Sequence, residues 1–527
     1  MADIEWRKAS SDSALVEGVP VVVQLGEEKI LLARVKGTVY AVGHECPHYQ
    51  EKLENGVLFG AEIVCKSHFA RMDVTTGRVV SAPAMNDLPV YPVKVQEGEI
   101  WVGPAEKPKF PKPPAPIGSD PRLFLIIGAG AAGNAAAETL RRQGFAGRIC
   151  MVTDEQERPY DRPNLSKDFI TGKAGEEWLP LRGPKFYPAQ GIELLTGRRV
   201  ASLDPVGKTV RFADGESLGF DKALIATGGT PRKLSVPGGD GCLVLRTAAD
   251  ARALLAAAAQ ARSAVLIGAG FIGLELAGSL RERGLAVSVV APEAIPLASV
   301  LGDRIGAGLM ALHQATGVSL LMGRKPVRIE GAAGVKVTTL DDGTRLESDF
   351  VVVGVGVQPA IEYLDGTALI AAGAVPVDGA MRTSVPDIFA AGDVAAVAGP
   401  DGVRRRVEHW VVAERQGARA ALGMMGRDPG PAEVEVFWSR QAGASLKYVG
   451  HARDWDQIVY RGSVEEGKYL AGFYNKGTLR AGASIGMARD LVAVERILRL
   501  GGGLSAAELG DASFDLIAAA RAMGRSG

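Results

Sequence analysis

Leu125-Ile126-Ile127-Gly128-Ala129-Gly130-Ala131-Ala132-Gly133 recurs 140 residues downstream as Val265-Leu266-Ile267-Gly268-Ala269-Gly270-Phe271-Ile272-Gly273. In each copy an apolar stretch runs straight into Gly-x-Gly-x-x-Gly and then into helical sequence rich in Ala and Leu. The glycines permit a tight turn and let backbone amides at a helix N-terminus approach a pyrophosphate. The register holds beyond the motif, with Leu140 matching Leu280 and Gly144 matching Gly284. One such motif is weak evidence. Two in register predict two nucleotide-binding domains built from one repeated unit.

The strand after each glycine motif should end in an acidic residue that accepts ribose hydroxyls. After the first copy, residues 149–153 lead into Asp154-Glu155, and Glu155 takes that role. After the second, residues 287–290 end in Ala291-Pro292-Glu293, and Glu293 takes it. A ribose 2′-phosphate calls for a nearby Arg or Lys, and the next basic residue along the chain is Arg304, so NADH is favoured over NADPH.

Outward from this pair the texture changes. Residues 104–121 (PAEKPKFPKPPAPIGSDP) are too proline-dense for a helix or a central strand and predict a semi-rigid linker. Before it, residues 19–25, 29–35, 38–43, 90–95 and 100–102 read as short strands, with turns at Gly26-Glu27, Lys36-Gly37 and Glu97-Gly98. The last hundred residues return to strand-like segments at 434–438 and 468–474 and end in a helical tail. A chain of 527 residues exceeds one hydrophobic core. Sixty basic and sixty acidic residues leave no net field, which speaks against nucleic-acid or membrane-surface binding. No apolar run reaches bilayer length and the N-terminus lacks a secretory pattern, so a cytoplasmic location is expected.

The N-terminal segment carries Cys46-Pro47-His48, sixteen residues, then Cys65-Lys66-Ser67-His68. Two thiols and two imidazoles suit either a structural zinc or a [2Fe–2S] cluster in which two thiolates hold one iron and two histidines the other. The other cysteines, Cys150 and Cys242, are solitary, and no C-x-x-C or C-x4-C pair exists for disulfide exchange.

Across nearly the whole first hundred residues these motifs resemble the Rieske ferredoxin family, including Asp73-Val74-Thr75-Thr76-Gly77 and the proline loop Ala82-Pro83-Ala84. The resemblance implies Cys46, His48, Cys65 and His68 as cluster ligands. The chain departs from the family at Gln50 and Phe69, where glycine is common, and at Lys66, where proline is. Residues 123 to about 500 resemble the oxygenase-coupled ferredoxin reductases and apoptosis-inducing-factor-like flavoproteins of the pyridine nucleotide-disulfide oxidoreductase superfamily.

The second resemblance rests on an ordered set of motifs. The segment Pro159-Tyr160-Asp161-Arg162-Pro163-Asn164-Leu165-Ser166-Lys167 implies FAD contacts from Arg162 and Lys167. Ala226-Thr227-Gly228-Gly229 implies the tight turn leaving the FAD domain, and Glu275 after Gly273 a carboxylate near the hydride path. Phe389-Ala390-Ala391-Gly392-Asp393 implies a second FAD fingerprint, with Asp393 on the ribityl chain. Glu408-His409-Trp410 and Phe437-Trp438-Ser439 imply aromatic rings near the isoalloxazine. The family usually has its acidic ribose ligand at the position of Ala291.

The expected architecture is multidomain: an all-β Rieske domain, two α/β Rossmann-like dinucleotide-binding domains and a C-terminal α+β domain. Its boundaries are 1–103 for the cluster domain, 104–121 for the linker, 122–246 and 371–430 for the FAD domain, 247–370 for the NAD domain and 431–527 for the C-terminal domain. The expected function is an NADH-dependent FAD reductase passing electrons through its own cluster to a downstream acceptor such as an oxygenase or cytochrome. Glu275, Trp410 and Trp438 stand closest to the chemistry, and the linker raises the cluster's effective concentration at the flavin. The alternative is an NADH-sensing signalling flavoprotein with slow turnover. The C-terminal domain sometimes forms interfaces in this superfamily, which leaves room for a homodimer.

Overall fold

The computed structural model describes residues 5–108, 110–111, 115–331, 334–399 and 402–524; parts of the proline linker (109 and 112–114) lie outside them. The chain forms two compact units, one made of Met1–Pro111, Glu433–Trp438 and Lys447–Gly527, the other of Lys112–Ala432 and Ser439–Leu446.

The second unit is the repeated one. The strand Leu123–Ile127 sits inside a parallel five-stranded sheet, flanked by Arg148–Val152 and Lys222–Ile225, with Ile192–Leu195 and Ile388–Ala390 at its edges. The strand Ser263–Ile267 has the same position in a parallel four-stranded sheet with Val318–Met322, Ala286–Ala291 and Phe350–Val353. Each sheet is interrupted after its third strand by an antiparallel three-stranded meander, Val200–Asp204 to Ser217–Gly219 in one and Pro326–Glu330 to Arg345–Ser348 in the other. The repeat legible in nine residues therefore extends over the whole supersecondary unit. Parallel strands are covered on both faces, which is why these strands are apolar throughout rather than alternating. Leu123–Ile127 is buried at every position.

In the first unit three small antiparallel sheets make the N-terminal domain. Glu28–Val35 and Thr38–Gly43 are joined through Lys36 and Gly37, both at positive φ, and Val93–Gln96 and Glu99–Val102 through Glu97 and Gly98, also at positive φ. Two consecutive left-handed residues match the right-handed twist of the flanking strands. Pro92 splits the expected strand 90–95 into Val90–Tyr91 and Val93–Gln96.

The C-terminal part is a five-stranded sheet ordered Val436–Gln441, Ala444–Gly450, Thr478–Ile485, Lys468–Asn475, Gln457–Ser463, against which the helix Ala488–Arg499 packs. Arg71, almost fully buried, joins the two parts of this unit: its guanidinium reaches Glu62 at 3.2 Å and Glu433 at 2.7 Å. Ser81 donates to the same Glu433 oxygen at 2.6 Å, Arg499 pairs with Glu62 at 3.3 Å, and Arg521 donates to the carbonyls of Leu58 and Gly18. Among the described residues no helix is long and apolar enough to cross a membrane.

Candidate redox centres

The ligand loops of the N-terminal domain are built alike. The amide of Gln50 donates to the Cys46 carbonyl at 2.9 Å and that of Phe69 to the Cys65 carbonyl at 3.0 Å. One residue further on, the carbonyls of Glu51 and Ala70 accept the amides of Cys46 and Cys65. Closing each loop this way puts its fifth residue in the left-handed region, with φ 55° at Gln50 and 62° at Phe69. These are the two positions where glycine is common in the resembling family. Each costs on the order of 1 kcal/mol of backbone strain, which the loop closure must offset.

Within this frame Cys46 and Cys65 are buried and their thiols lie within hydrogen-bonding reach of each other. That hydrogen bond, and then burial, holds Cys46 high, while the same bond holds Cys65 low. Nδ1 of His48 faces Nδ1 of His68 at 3.1 Å. Burial lowers His48 to about 3, keeping its imidazole neutral as a metal ligand must be. Among the described residues no three His, Cys, Asp or Glu side chains gather into one metal site. The four donors thus stand as a thiol pair and an imidazole pair, a fit to a two-iron cluster with two protein ligands per iron rather than to one tetrahedral zinc.

Two features here were not legible in sequence. Glu51 clamps both loops, its carbonyl holding the Cys46 amide and its carboxylate accepting from Ser67 at 2.6 Å. Trp438, from the C-terminal strand, lies with its ring centroid 4.2 Å from that of His68 and 6.1 Å from that of His48.

In the second unit the two glycine motifs have one geometry. Gly128 and Gly268 adopt φ 111° and 110°, and a Cβ on either would overlap a carbonyl of the neighbouring strand end, Ala226 or Gly354. A Cβ on Gly133 or Gly273 would overlap the carbonyl of the motif's first glycine. By contrast Gly130 and Gly270 have nothing within 4 Å of where a Cβ would stand. Each precedes a helix whose start carries no side-chain cap (Ala131–Arg142, Phe271–Glu282), and that helix start opens onto this space. The arrangement fits a pyrophosphate at each helix start.

Glu155 accepts hydrogen bonds from Tyr160 at 2.6 Å and Arg162 at 2.7 Å. Arg162 also donates to the Arg246 carbonyl, and Arg246 pairs with Asp393 at 2.9 Å. Thr227 donates to the Ala360 carbonyl, Gly228 lies at φ 69° beside Arg246, and the Gly392 amide donates to Gln416. Glu155, Arg162, Gly228, Gly392 and Asp393 are thus linked through Arg246 and direct neighbours, although Arg246 carried no motif.

Glu275 is 4% exposed and accepts from Ser166 at 2.6 Å, Lys167 at 2.7 Å, Ser439 at 2.6 Å and the Arg440 amide at 3.0 Å. His409 occupies the N-cap position of the helix Trp410–Met424 without a side-chain capping bond, and Trp410 packs half-buried on the core around the strand Leu123–Ile127, its side chain hydrogen-bonded to Glu414. Burial, then the charge of Asp161, keeps the Glu414 carboxyl well above its usual range. Trp410 and Trp438 belong to different compact units.

Glu293 is exposed, and sequence distance concealed a neighbour. The Gly323 amide donates to its carbonyl and the Arg324 amide to that of Ala291, which brings Arg324 beside the C-terminal end of the strand Ala286–Ala291. Its guanidinium is paired with Asp342 at 2.8 Å. All four cysteines are free, and Cys150 is a core residue of the strand Arg148–Val152, pushed up to about 12 by burial.

Comparison with known proteins gives the family of each region. Residues 123–417 match the pyridine nucleotide-disulphide oxidoreductase family, 436–520 the reductase C-terminal family and 5–92 the Rieske [2Fe-2S] domain. The chain is 36% identical to human (Homo sapiens) apoptosis-inducing factor 3 over 86% of its own length and 77% of that protein's. It is 36% identical to the ferredoxin–NAD(+) reductase component of an anthranilate 1,2-dioxygenase system from Burkholderia cepacia, over 76% of this chain and 99% of that one. Among solved structures, the ferredoxin reductase of the CYP199A2 system from Rhodopseudomonas palustris is 35% identical, with a TM-score of 0.73, over 76% of this chain and all of that one. The reductase in the covalent putidaredoxin reductase–putidaredoxin complex has the same TM-score at 29% identity, over 77% of this chain and 99% of that one. The cofactors these families bring are FAD, NAD(H) and a [2Fe–2S] cluster. The chain belongs to the pyridine nucleotide-disulphide oxidoreductase family, as a ferredoxin-reductase-like oxidoreductase that carries its own Rieske domain.

Proposed function

We propose that this protein is an NADH-dependent reductase whose electrons leave through its own Rieske domain to a one-electron protein acceptor. When bound, the flavin accepts a hydride and releases single electrons, and the cluster carries one electron at a time. Cys46, His48, Cys65 and His68 hold the cluster. The FAD domain comprises 122–246 and 371–430, and the NAD domain 247–370. Gly128, Gly130, Gly133, Arg162, Lys167, Thr227, Gly228, Gly392, Asp393, His409 and Trp410 serve FAD, with Glu155 at its ribose. Gly268, Gly270, Gly273 and Glu293 serve the nicotinamide nucleotide. NADH is preferred because Glu293 accepts a hydroxyl where it would repel a phosphate, and Arg324 is committed to Asp342. Ferredoxin–NAD(+) reductases among the relatives support the same choice.

The observation that carries the reading is the strand Val436–Gln441. Trp438 lies against the cluster ligand His68, and the next residue, Ser439, donates to Glu275, the partner of Lys167. One strand therefore bears a residue that lies against a cluster ligand and a residue that fixes the carboxylate assigned to the hydride path.

The test is steady-state NADH oxidation with ferricyanide and with cytochrome c, in the holoprotein and in Cys65→Ser. The expected result is that Cys65→Ser retains ferricyanide reduction and loses most cytochrome c reduction. Equal cytochrome c reduction in both would place the exit at the flavin. A reduced flavin–NAD⁺ complex that persists in oxygen and reduces neither acceptor would support a sensing role instead.

A further inference from the structure

The carboxylate of Glu275 ends a buried chain of polar side chains that begins on the helix Asp303–Ala315. His313 of that helix is fully buried, and its Nε2 lies 2.9 Å from Oε1 of Gln441. Nε2 of Gln441 donates to the Ser439 hydroxyl at 2.6 Å, and that hydroxyl donates to Glu275 at 2.6 Å. Lys167 and Ser166 hold the other oxygen of the same carboxylate. His313, Glu275, Lys167 and the segment Ser439–Leu446 all belong to the second compact unit. Beyond Gln441 the hairpin turns through Ala442 and Gly443, both at positive φ, beside Gly278 of the helix Phe271–Glu282.

The direction of this chain is dictated by partners that can only accept. A carboxylate has no proton to give, so Ser439 points its proton at Glu275 and takes its own hydrogen bond from the Gln441 amide nitrogen. The same nitrogen also donates to the Phe271 carbonyl at 3.3 Å, a second partner of that kind. Gln441 therefore turns its oxygen to His313, and His313 must carry its proton on Nε2. Its Nδ1 is left bare, buried and without a hydrogen-bond partner. An imidazole with its proton on Nδ1 would present a lone pair to Gln441 and turn the amide over. The reversed amide would then accept the Ser439 proton and take it from Glu275. Burial, which lowers His313 below its ordinary pKa, keeps the ring neutral.

Resting on the reading above, we infer that His313 is a positioning residue for hydride transfer: through Gln441 and Ser439, its Nε2–H aims the hydroxyl that holds the Glu275 carboxylate beside Lys167. His313 acts at two removes and needs no contact with the nucleotide. Losing its donor leaves the buried Gln441 oxygen unpaired, so the amide turns or shifts toward another donor. One of the hydrogen bonds that fix Glu275 then weakens, and the carboxylate is less firmly placed. Small misplacements beside reacting atoms slow the chemical step more than they weaken binding.

The test is anaerobic stopped-flow reduction of the flavin by NADH in the holoprotein, read as the limiting rate and the half-saturating NADH concentration. His313→Phe keeps a ring and loses the donor. A hydrogen bond to a charged group is worth on the order of tenfold, so the limiting rate should fall about tenfold with half-saturation unchanged. His313→Gln restores a donor and should recover most of the rate. Ser439→Ala should show a similar fall, and adding His313→Phe to it should lower the rate no further. A wild-type rate in His313→Phe overturns the inference, as do losses that multiply in the double variant, which would mean that His313 only fills the core. NMR of the histidine ring nitrogens gives a readout apart from turnover, with the His313 signal assigned by its absence from His313→Gln. A neutral ring protonated on Nε2 is expected at neutral pH, and a proton on Nδ1 overturns the inference. If NADH fails to reduce the wild-type flavin, the functional reading fails and this inference with it. If the flavin is reduced and only the cluster is not, the exit through the cluster is wrong and the result for His313 stands.

Discussion

Glu275 shows how much a single buried side chain can organise. Four donors converge on its carboxylate, one of them the charged Lys167. Removing one member of a buried ion pair strands the other and costs about 3 kcal/mol. Glu275→Gln should lower the stability of its unit by that order and slow flavin reduction by NADH, as measured by urea unfolding and stopped-flow absorbance. A stable variant with wild-type flavin reduction would remove Glu275 from the hydride site. Glu51 makes a similar argument at the cluster. Glu51→Gln keeps an acceptor for Ser67 but removes a negative charge beside the ligands, so the cluster should load normally and its reduction potential should rise. Glu51→Ala loses the clamp as well and should shed iron faster, as read by iron content over time.

His313 contributes to the pH dependence of stability. It is fully buried against Gln441 at 2.9 Å, and burial lowers its pKa below the ordinary value. The unfolded chain therefore binds the extra proton first, below about pH 6.5. The contribution of neutral His313 is complete above that pH and is lost as pH falls further, so the urea midpoint should drop below pH 6.5, less steeply in His313→Gln. At this scale Lys167 and Glu275 were each legible from their motifs, but their pairing was not: the partners are 108 residues apart, and Ser439 lies 164 residues from Glu275. Arg246 and Arg324 were missed for the same reason, since no local pattern marks a residue that matters only through a distant neighbour.

At the scale of the element, the strand–turn–helix motif divides its glycines by what each must avoid. Gly128 needs a left-handed backbone against the Ala226 carbonyl, whereas Gly130 faces open space at the helix start. Gly128→Ala should therefore destabilise the unit by about 2 kcal/mol or more. Gly130→Ala should leave stability unchanged while weakening FAD binding by roughly tenfold, a cost near 1.4 kcal/mol. Thermal unfolding with and without added FAD distinguishes the two, and equal FAD affinity in Gly130→Ala and wild type would contradict the assignment. This architecture was legible because apolar runs and glycine spacing are local and occur twice. The ligand loops were legible through the cysteines and histidines alone. Their left-handed closure at Gln50 and Phe69 was hidden because neither residue advertises that conformation.

At the scale of the molecule, the sequence pointed to a cluster domain on a proline tether, and the structure adds a direct attachment. Arg71 meets Glu433 across 362 residues and Arg521 reaches Leu58 across 463, distances at which sequence texture carries no signal. The result is one compact unit that holds the cluster ligands together with the C-terminal sheet. Arg71→Met should destabilise this unit by about 3 kcal/mol, and the double variant Arg71→Met/Glu433→Met should recover part of that loss, since a matched apolar pair leaves less charge stranded. Additive losses in the unfolding cycle would show that the pair is not coupled. Reduction of the cluster by NADH should slow in Arg71→Met while dithionite still reduces it.

The measurement that bears most directly on the account is the EPR spectrum of the anaerobic holoprotein after addition of NADH alone. A reduced Rieske signal, with the low average g of mixed thiolate and imidazole ligation, should appear as the flavin is reduced. A bleached flavin beside a cluster that stays oxidised and EPR-silent would contradict it.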